Sequence, residues 1–325
     1  MPICITSKSQ NYALITEFHC VSVPTANHMS IKLRIPSPWS QLSILIGLGG
    51  AMLIFSLILG AIIYKICGSG SLLDSTKALD DTAMIDTSKL VQFLFSIILF
   101  GLTGYLYARF TFQENPGYYL GLRPPARNSF YLLAILLLLF AFPMEEWLGA
   151  LNRRLPLWDW MVRAEQENDR QVDALLKVRH TYDPVINVLI MAAVPAFCEE
   201  LCFRGALQRI MIQICKRPLT GILVSAFLFS FFHFQFEGFL PRMFLGFLLG
   251  AAYWYSGSLW VSIIAHFFFN AIQIVLVMYD PGVIAKNPTN PLKFVLLSIL
   301  IVVGLLYTFK KVTKTTYEGV YGPIY

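Results

Sequence analysis

Charge is what this sequence has least of. Only 14% of its 325 residues are Asp, Glu, Lys or Arg, against 56% hydrophobic residues, whereas a soluble domain carries about a quarter of its residues as charges. The shortfall argues against a cytosolic enzyme. It also excludes an intrinsically disordered chain, which needs low hydrophobicity and high net charge. Cysteine is scarce too: Cys4, Cys20, Cys67, Cys198, Cys202 and Cys215 are all there is, and none stands in the CxxC spacing of a structural zinc site. A disulfide framework belongs to short, loop-rich secreted chains, so these cysteines read as small apolar residues. The sequence has no HExxH, GxSxG or P-loop, no internal repeat and no low-complexity segment. The net charge of +6 is not gathered into a nucleic-acid-binding patch, because the basic residues sit at the ends of apolar runs. There they read as membrane topology.

Long apolar runs, by contrast, are abundant. A helix that crosses a bilayer needs about 20 mostly apolar residues. Eight stretches read as spans: Leu42–Ile66, Leu90–Ala108, Phe130–Phe142 with its flanks, Val185–Cys215, Leu219–Phe236, Phe239–Tyr255, Leu259–Tyr279 and Leu292–Phe309. The basic clusters Lys32/Arg34, Arg109/Arg123/Arg127, Lys216/Arg217 and Lys310/Lys311/Lys314 all fall on one side if the spans number eight. Positive residues stay cytoplasmic, so both termini are expected in the cytoplasm. The expected fold is all-α: a polytopic transmembrane helical bundle of about eight spans with a polar active site inside it.

The stretch 145–183 mixes acidic and basic residues with Trp147, Trp158 and Trp160. It reads as a solvated helical loop with Trp at the membrane interface, or more sharply as a lid or substrate-contact element. Together with the helices before it, it makes up an N-terminal region, 29–182. Residues 1–28 have no apolar core of signal-peptide length and read as a disordered tail or an upstream extension. Residues 280–325 hold the last span and a basic cytoplasmic tail.

The informative residues are polar ones inside the apolar runs. The fourth span contains Cys198-Glu199-Glu200-Leu201-Cys202-Phe203-Arg204. Each charge near the bilayer centre costs about 2.5–3.5 kcal/mol on the insertion scale, so such groups face the bundle interior and have partners. Glu200 and Arg204 are four apart and share a helix face, which leaves Glu199 pointing elsewhere. The fifth span holds Phe229-Ser-Phe-Phe-His233, and the seventh holds His266-Phe-Phe-Phe-Asn270. One intramembrane histidine is commonly a packed residue. Two of them with an asparagine and a glutamate pair on three spans point to one convergent site. Depth fits imperfectly: Glu199 and His233 lie about 24–26 Å from the Lys216/Arg217 boundary along straight helices, and His266 about 12 Å past Ser258. Tilts or breaks at Pro195 and Pro218 are expected. A carboxylate beside an imidazole can activate water, and further donors can stabilise an oxyanion. Glu, His and His could also ligate zinc.

At these residues the sequence resembles the CPBP family, which joins CAAX prenyl proteases of the Ras-converting type with Abi and bacteriocin-processing proteins. Its pattern is EExxxR, FxxxH and HxxxN on successive membrane helices, matched here by Glu199–Arg204, Phe229–His233 and His266–Asn270 in order. The likeness covers roughly 183–279. It implies an intramembrane endopeptidase in which Glu199 is the general base and His233 its partner, His266 and Asn270 stabilise the oxyanion, and Glu200, Arg204 and Phe229 support the site. No cofactor is required by these roles; a divalent metal such as zinc would fall on Glu199, His233 and His266. The implied partners are the bilayer and a membrane-associated peptide or protein, lipidated or not, with no nucleic acid. A bacterial member would sit in the plasma (inner) membrane. Two other functions use the same buried residues: a proton-coupled transporter, in which Glu and His form a relay, and a non-catalytic membrane scaffold.

Overall fold

A computed structural model describes residues 33–67, 82–113, 115–280 and 291–313. The expected tail 1–28 and the end of the basic tail lie outside the described residues. Ten helices are described, and the isolated bridge between Leu33 and Phe112 is the one β-type pairing among these residues. Helix α1 (Pro38–Ile66) opens on Ser37, whose hydroxyl accepts from the Ser40 N–H, with proline in the first turn. Both choices satisfy or remove donors that a helix start leaves unpaired. Then come α2 (Ala83–Thr111), the short α3 (Pro116–Leu120), α4 (Ser129–Asn152) and α5 (Asp159–Leu176). They are followed by α6 (Asp183–Cys215), α7 (Pro218–Phe231), α8 (Phe239–Ser256), α9 (Leu259–Tyr279) and α10 (Leu292–Val312).

Six of these are long and apolar enough to cross a membrane: α1, α2, α4, α6, α9 and α10. The chain is a multi-pass integral membrane protein, and six candidate spans among the described residues match the expected count of about eight only roughly. Helix α7 has 14 residues, about 21 Å at 1.5 Å per residue, short of the roughly 30 Å hydrocarbon core. Residues 232–236, read as the end of that span, leave the helix altogether. Helix α8 begins with Pro241 and Arg242 in its first turns. Helix α7 packs against α8, and α8 against α4; α8 is covered along its length, while α7 keeps an exposed apolar face at Leu219, Leu223, Phe227 and Phe231. Hydropathy alone does not separate an inner helix from a lipid-facing one. Neither expected proline break interrupts the chain's course. Pro218 starts α7. Pro195 follows a π-helical turn, Leu189–Ala193, which lets α6 continue through it.

Two apolar clusters hold the bundle. One joins α1, α2, α3, α6 and α7 with Tyr253 of α8 and the start of α9 around Tyr107, Tyr119, Phe203 and Ile210. The other joins α4, α8, α9 and α10 around Phe130, Leu137, Leu248, Phe269 and Phe309. Polar contacts hold further fixed points: the Tyr107 hydroxyl donates to Gln41 at 2.9 Å, and Lys89 pairs with buried Asp183 at 3.3 Å. Glycine sets the closest approach of α2 to α6. A Cβ on Gly104 would meet the Leu201 backbone at 3.0 Å.

Candidate active site

Helix α6 carries the glutamate pair between two π-helical turns, Leu189–Ala193 and Leu201–Gln208. Such turns insert a residue into the helix and recur at functional sites. Glu200 is fully buried and Arg204 is 1% exposed. They pair at 2.7 Å, as the four-residue spacing requires. The Arg204 guanidinium also lies 4.2 Å from the Phe229 ring centre and donates to the Gly246 carbonyl at 3.2 Å. One turn on, Gln208 donates to the Gly250 carbonyl at 3.1 Å. A Cβ on Gly250 would lie 2.6 Å from the Gln208 amide oxygen, so glycine is what lets α8 offer its carbonyls to α6.

Helix α9 brings His266 onto this pair, its Nδ1 3.0 Å from Glu200 Oε1. A carboxylate only accepts, so Nδ1 carries the hydrogen and Nε2 faces away from Glu200. It faces Glu199, whose Oε2 lies 4.0 Å from His266 Nε2 and 3.8 Å from His233 Nε2. His233 sits just past the end of α7, with Nδ1 2.7 Å from the Phe229 carbonyl. That carbonyl also only accepts, so the neutral ring turns an Nε2 lone pair toward Glu199. Phe229 is the hub: its ring is edge-on to His233 at 4.7 Å and to His266 at 6.1 Å. Separations of 3.8–4.0 Å are too long for direct hydrogen bonds and suit one bridging water.

The structure thus brings together Glu199, Glu200, Arg204, Phe229, His233 and His266. Asn270 lies one turn along α9 from His266 and is half-buried; no side-chain hydrogen bond among the described residues ties it to the other six. Zinc fits this arrangement poorly as it stands. Ligands about 2.0–2.1 Å from a tetrahedral zinc lie about 3.4 Å apart, closer than the 3.8 and 4.0 Å found here. No group of three His, Cys, Asp or Glu among the described residues comes together as a metal site.

Three residues escaped the sequence reading. Arg242 on α8 is within electrostatic reach of Glu199, Glu145 and Glu165 and hydrogen-bonds Gln235. The insertion cost that singles out Glu199 applies equally to an arginine in an apolar run and would have found it. Asn152 and Glu165 gave no such signal, because both fall where polar residues are expected. Burial holds the Glu165 carboxyl above its ordinary value, and two backbone N–H donors offset only part of that rise.

Residues 181–272, which contain all seven predicted site residues, match the family described as type II CAAX prenyl endopeptidase, Rce1-like. This segment is similar to the Rce1-like family. The chain is also similar to the uncharacterized protein YpbD of Bacillus subtilis, 29% identical over 98 residues, which are 29% of this chain and 47% of that protein. The chain therefore spans about half the length of that relative. No solved structure matches. Outside the Rce1-like segment, α1, α2, α4 and α5 rest on composition and packing alone.

Proposed function

We propose that the protein is a CAAX-protease-like intramembrane endopeptidase that hydrolyses a peptide bond in a membrane-associated, prenylated or otherwise lipid-anchored substrate. The observation that carries this reading is the convergence of one carboxylate oxygen, Glu199 Oε2, with two imidazole Nε2 atoms at 3.8 and 4.0 Å inside an Rce1-like segment. In the proposed reaction Glu199 takes a proton from water while His233 Nε2 orients that water. The water oxygen attacks the scissile carbonyl carbon. His266, as an imidazolium that keeps its Nδ1 hydrogen on Glu200 and carries a second on Nε2, and Asn270 donate to the oxyanion. Glu199 then delivers its proton to the leaving amine nitrogen, so that water is added across the broken C–N bond. Glu200 and Arg204 hold His266 in place. No step is routed through a metal. We place both termini in the cytoplasm, following the basic clusters.

The test is cleavage of lipid-anchored and unanchored peptides by the full chain in liposomes. Glu199→Gln and His233→Ala should each lower turnover by about 10²–10⁴-fold while leaving the protein folded. A zinc chelator should leave wild-type turnover unchanged. Full turnover by Glu199→Gln would remove Glu199 from the chemistry; no cleavage by the wild type would point to the scaffold reading, and proton flux in place of cleavage would point to the transporter.

A further inference from the structure

His233 does not stand on a helix. It lies in the connection 232–238 between α7 and α8, and the next residue, Phe234, has φ 52°. That left-handed conformation is unfavourable for a phenylalanine and persists only where the surroundings over-determine it. Two side chains from remote elements supply the constraint. Asn152, the last residue of α4, is 2% exposed. Its amide nitrogen donates to the Phe236 carbonyl at 2.6 Å and its oxygen accepts from the Leu240 N–H at 2.9 Å. Glu165 of α5 accepts from the N–H groups of Phe236 at 2.8 Å and Glu237 at 3.4 Å through one oxygen. Trp160 meets the Phe236 ring edge-on at 5.1 Å. From the far side Ser230 donates to the Phe239 carbonyl at 2.7 Å. Helix α5 is otherwise a polar helix, and Glu165 and Leu176 are its only buried residues. A carboxylate buried on such a helix, with both hydrogen bonds spent on one loop, is placed to hold that loop.

We propose that Asn152 and Glu165 are positioning residues that clamp the 234–240 backbone and so fix the His233 ring against Glu199, making the extramembrane helix α5 part of the catalytic apparatus. The inference rests on the peptidase reading above. It does not need either residue to touch substrate. Loosening the clamp lets the Phe234 turn relax and moves Nε2 off its line to the water. Loss of alignment lowers the rate of the chemical step more than it weakens substrate binding.

The experiment uses the full chain, purified in liposomes, as wild type, Asn152→Ala, Glu165→Ala, Glu165→Gln and Glu199→Gln. Two readouts are taken: kcat and KM on a peptide the wild type cleaves, and the rate at which diethyl pyrocarbonate modifies His233, mapped by mass spectrometry. Asn152→Ala and Glu165→Ala should lower kcat by about tenfold to a hundredfold, with KM changed by less than about twofold. In both, His233 should be modified several-fold faster. Glu165→Gln should recover most of the rate, because its amide oxygen still accepts the Phe236 N–H. A structural role alone would lower the folded fraction and leave kcat per folded molecule and His233 reactivity unchanged; with Glu199→Gln inactive, that result overturns the clamp and leaves the peptidase reading standing. If Glu199→Gln retains turnover, the role of Glu199 fails and both readouts still decide the clamp; if the wild type cleaves nothing, the peptidase reading fails and the His233 modification rate alone decides the clamp. If Asn152→Ala does not fold, the Glu165 pair carries the decision.

Discussion

Helices α1 and α6 are both long and apolar, yet they occupy the bundle in opposite ways. In α1, 11% of the most apolar window is buried, against 50% in α6. Helix α1 turns Ile54, Phe55, Leu57 and Ile58 outward, as a helix does when lipid is its solvent. Helix α6 turns Glu199, Glu200, Arg204 and Gln208 inward. The difference shows what an embedded charge does to an apolar helix. It cannot face hydrocarbon, so it pulls the helix to the centre and obliges neighbours to supply partners. Here those are His266, the carbonyl of Gly246 and the face of Phe229. Glycine usage follows the same division. Gly221, Gly246 and Gly250 all have neighbours within 3.1 Å of where a Cβ would stand, while Gly47 and Gly50 of α1 have none within 4 Å.

That contrast can be broken or sharpened by substitution. Arg204→Ala should have the largest effect on stability, about 3–5 kcal/mol, because it strands the buried Glu200 carboxylate without its main partner; thermal unfolding in detergent reads it. Gly221→Ala should cost about 1–3 kcal/mol by overpacking, since the new methyl would stand 2.6 Å from the Ile212 Cα. The same substitution in α1, Gly47→Ala, should have the opposite sign and a smaller size, a gain of up to about 1 kcal/mol from helix propensity. If Gly47→Ala and Gly221→Ala destabilised equally, the division between a lipid-facing helix and a buried one would be lost.

The sequence made the site more legible than the bundle. Glu200 and Arg204 had to pair once their spacing put them on one face, and Glu199 had to look elsewhere. Two intramembrane histidines were the obvious groups for it to meet, and the structure puts both imidazoles within 4.0 Å of it. The depth reckoning, which set His266 apart from Glu199 and His233, assumed straight helices, and His233 in fact stands beyond the helix end at Phe231. The count of spans was harder to read, because α8 is apolar for packing inside protein, α7 is apolar but only 14 residues long, and hydropathy scores protein and lipid interiors alike. The Asn152 and Glu165 contacts were invisible, since they join residues 71 to 88 positions apart through a loop whose conformation no local pattern encodes.

The central claim is that two adjacent carboxylates on one helix do different work, Glu200 holding the structure and Glu199 handling the proton. The most direct measurement sets Glu199→Gln beside Glu200→Gln and records turnover and the melting temperature of each. The account predicts that Glu199→Gln melts with the wild type and has lost turnover, while Glu200→Gln melts well below it. Equal melting temperatures for the two variants, or turnover surviving in Glu199→Gln, would contradict it.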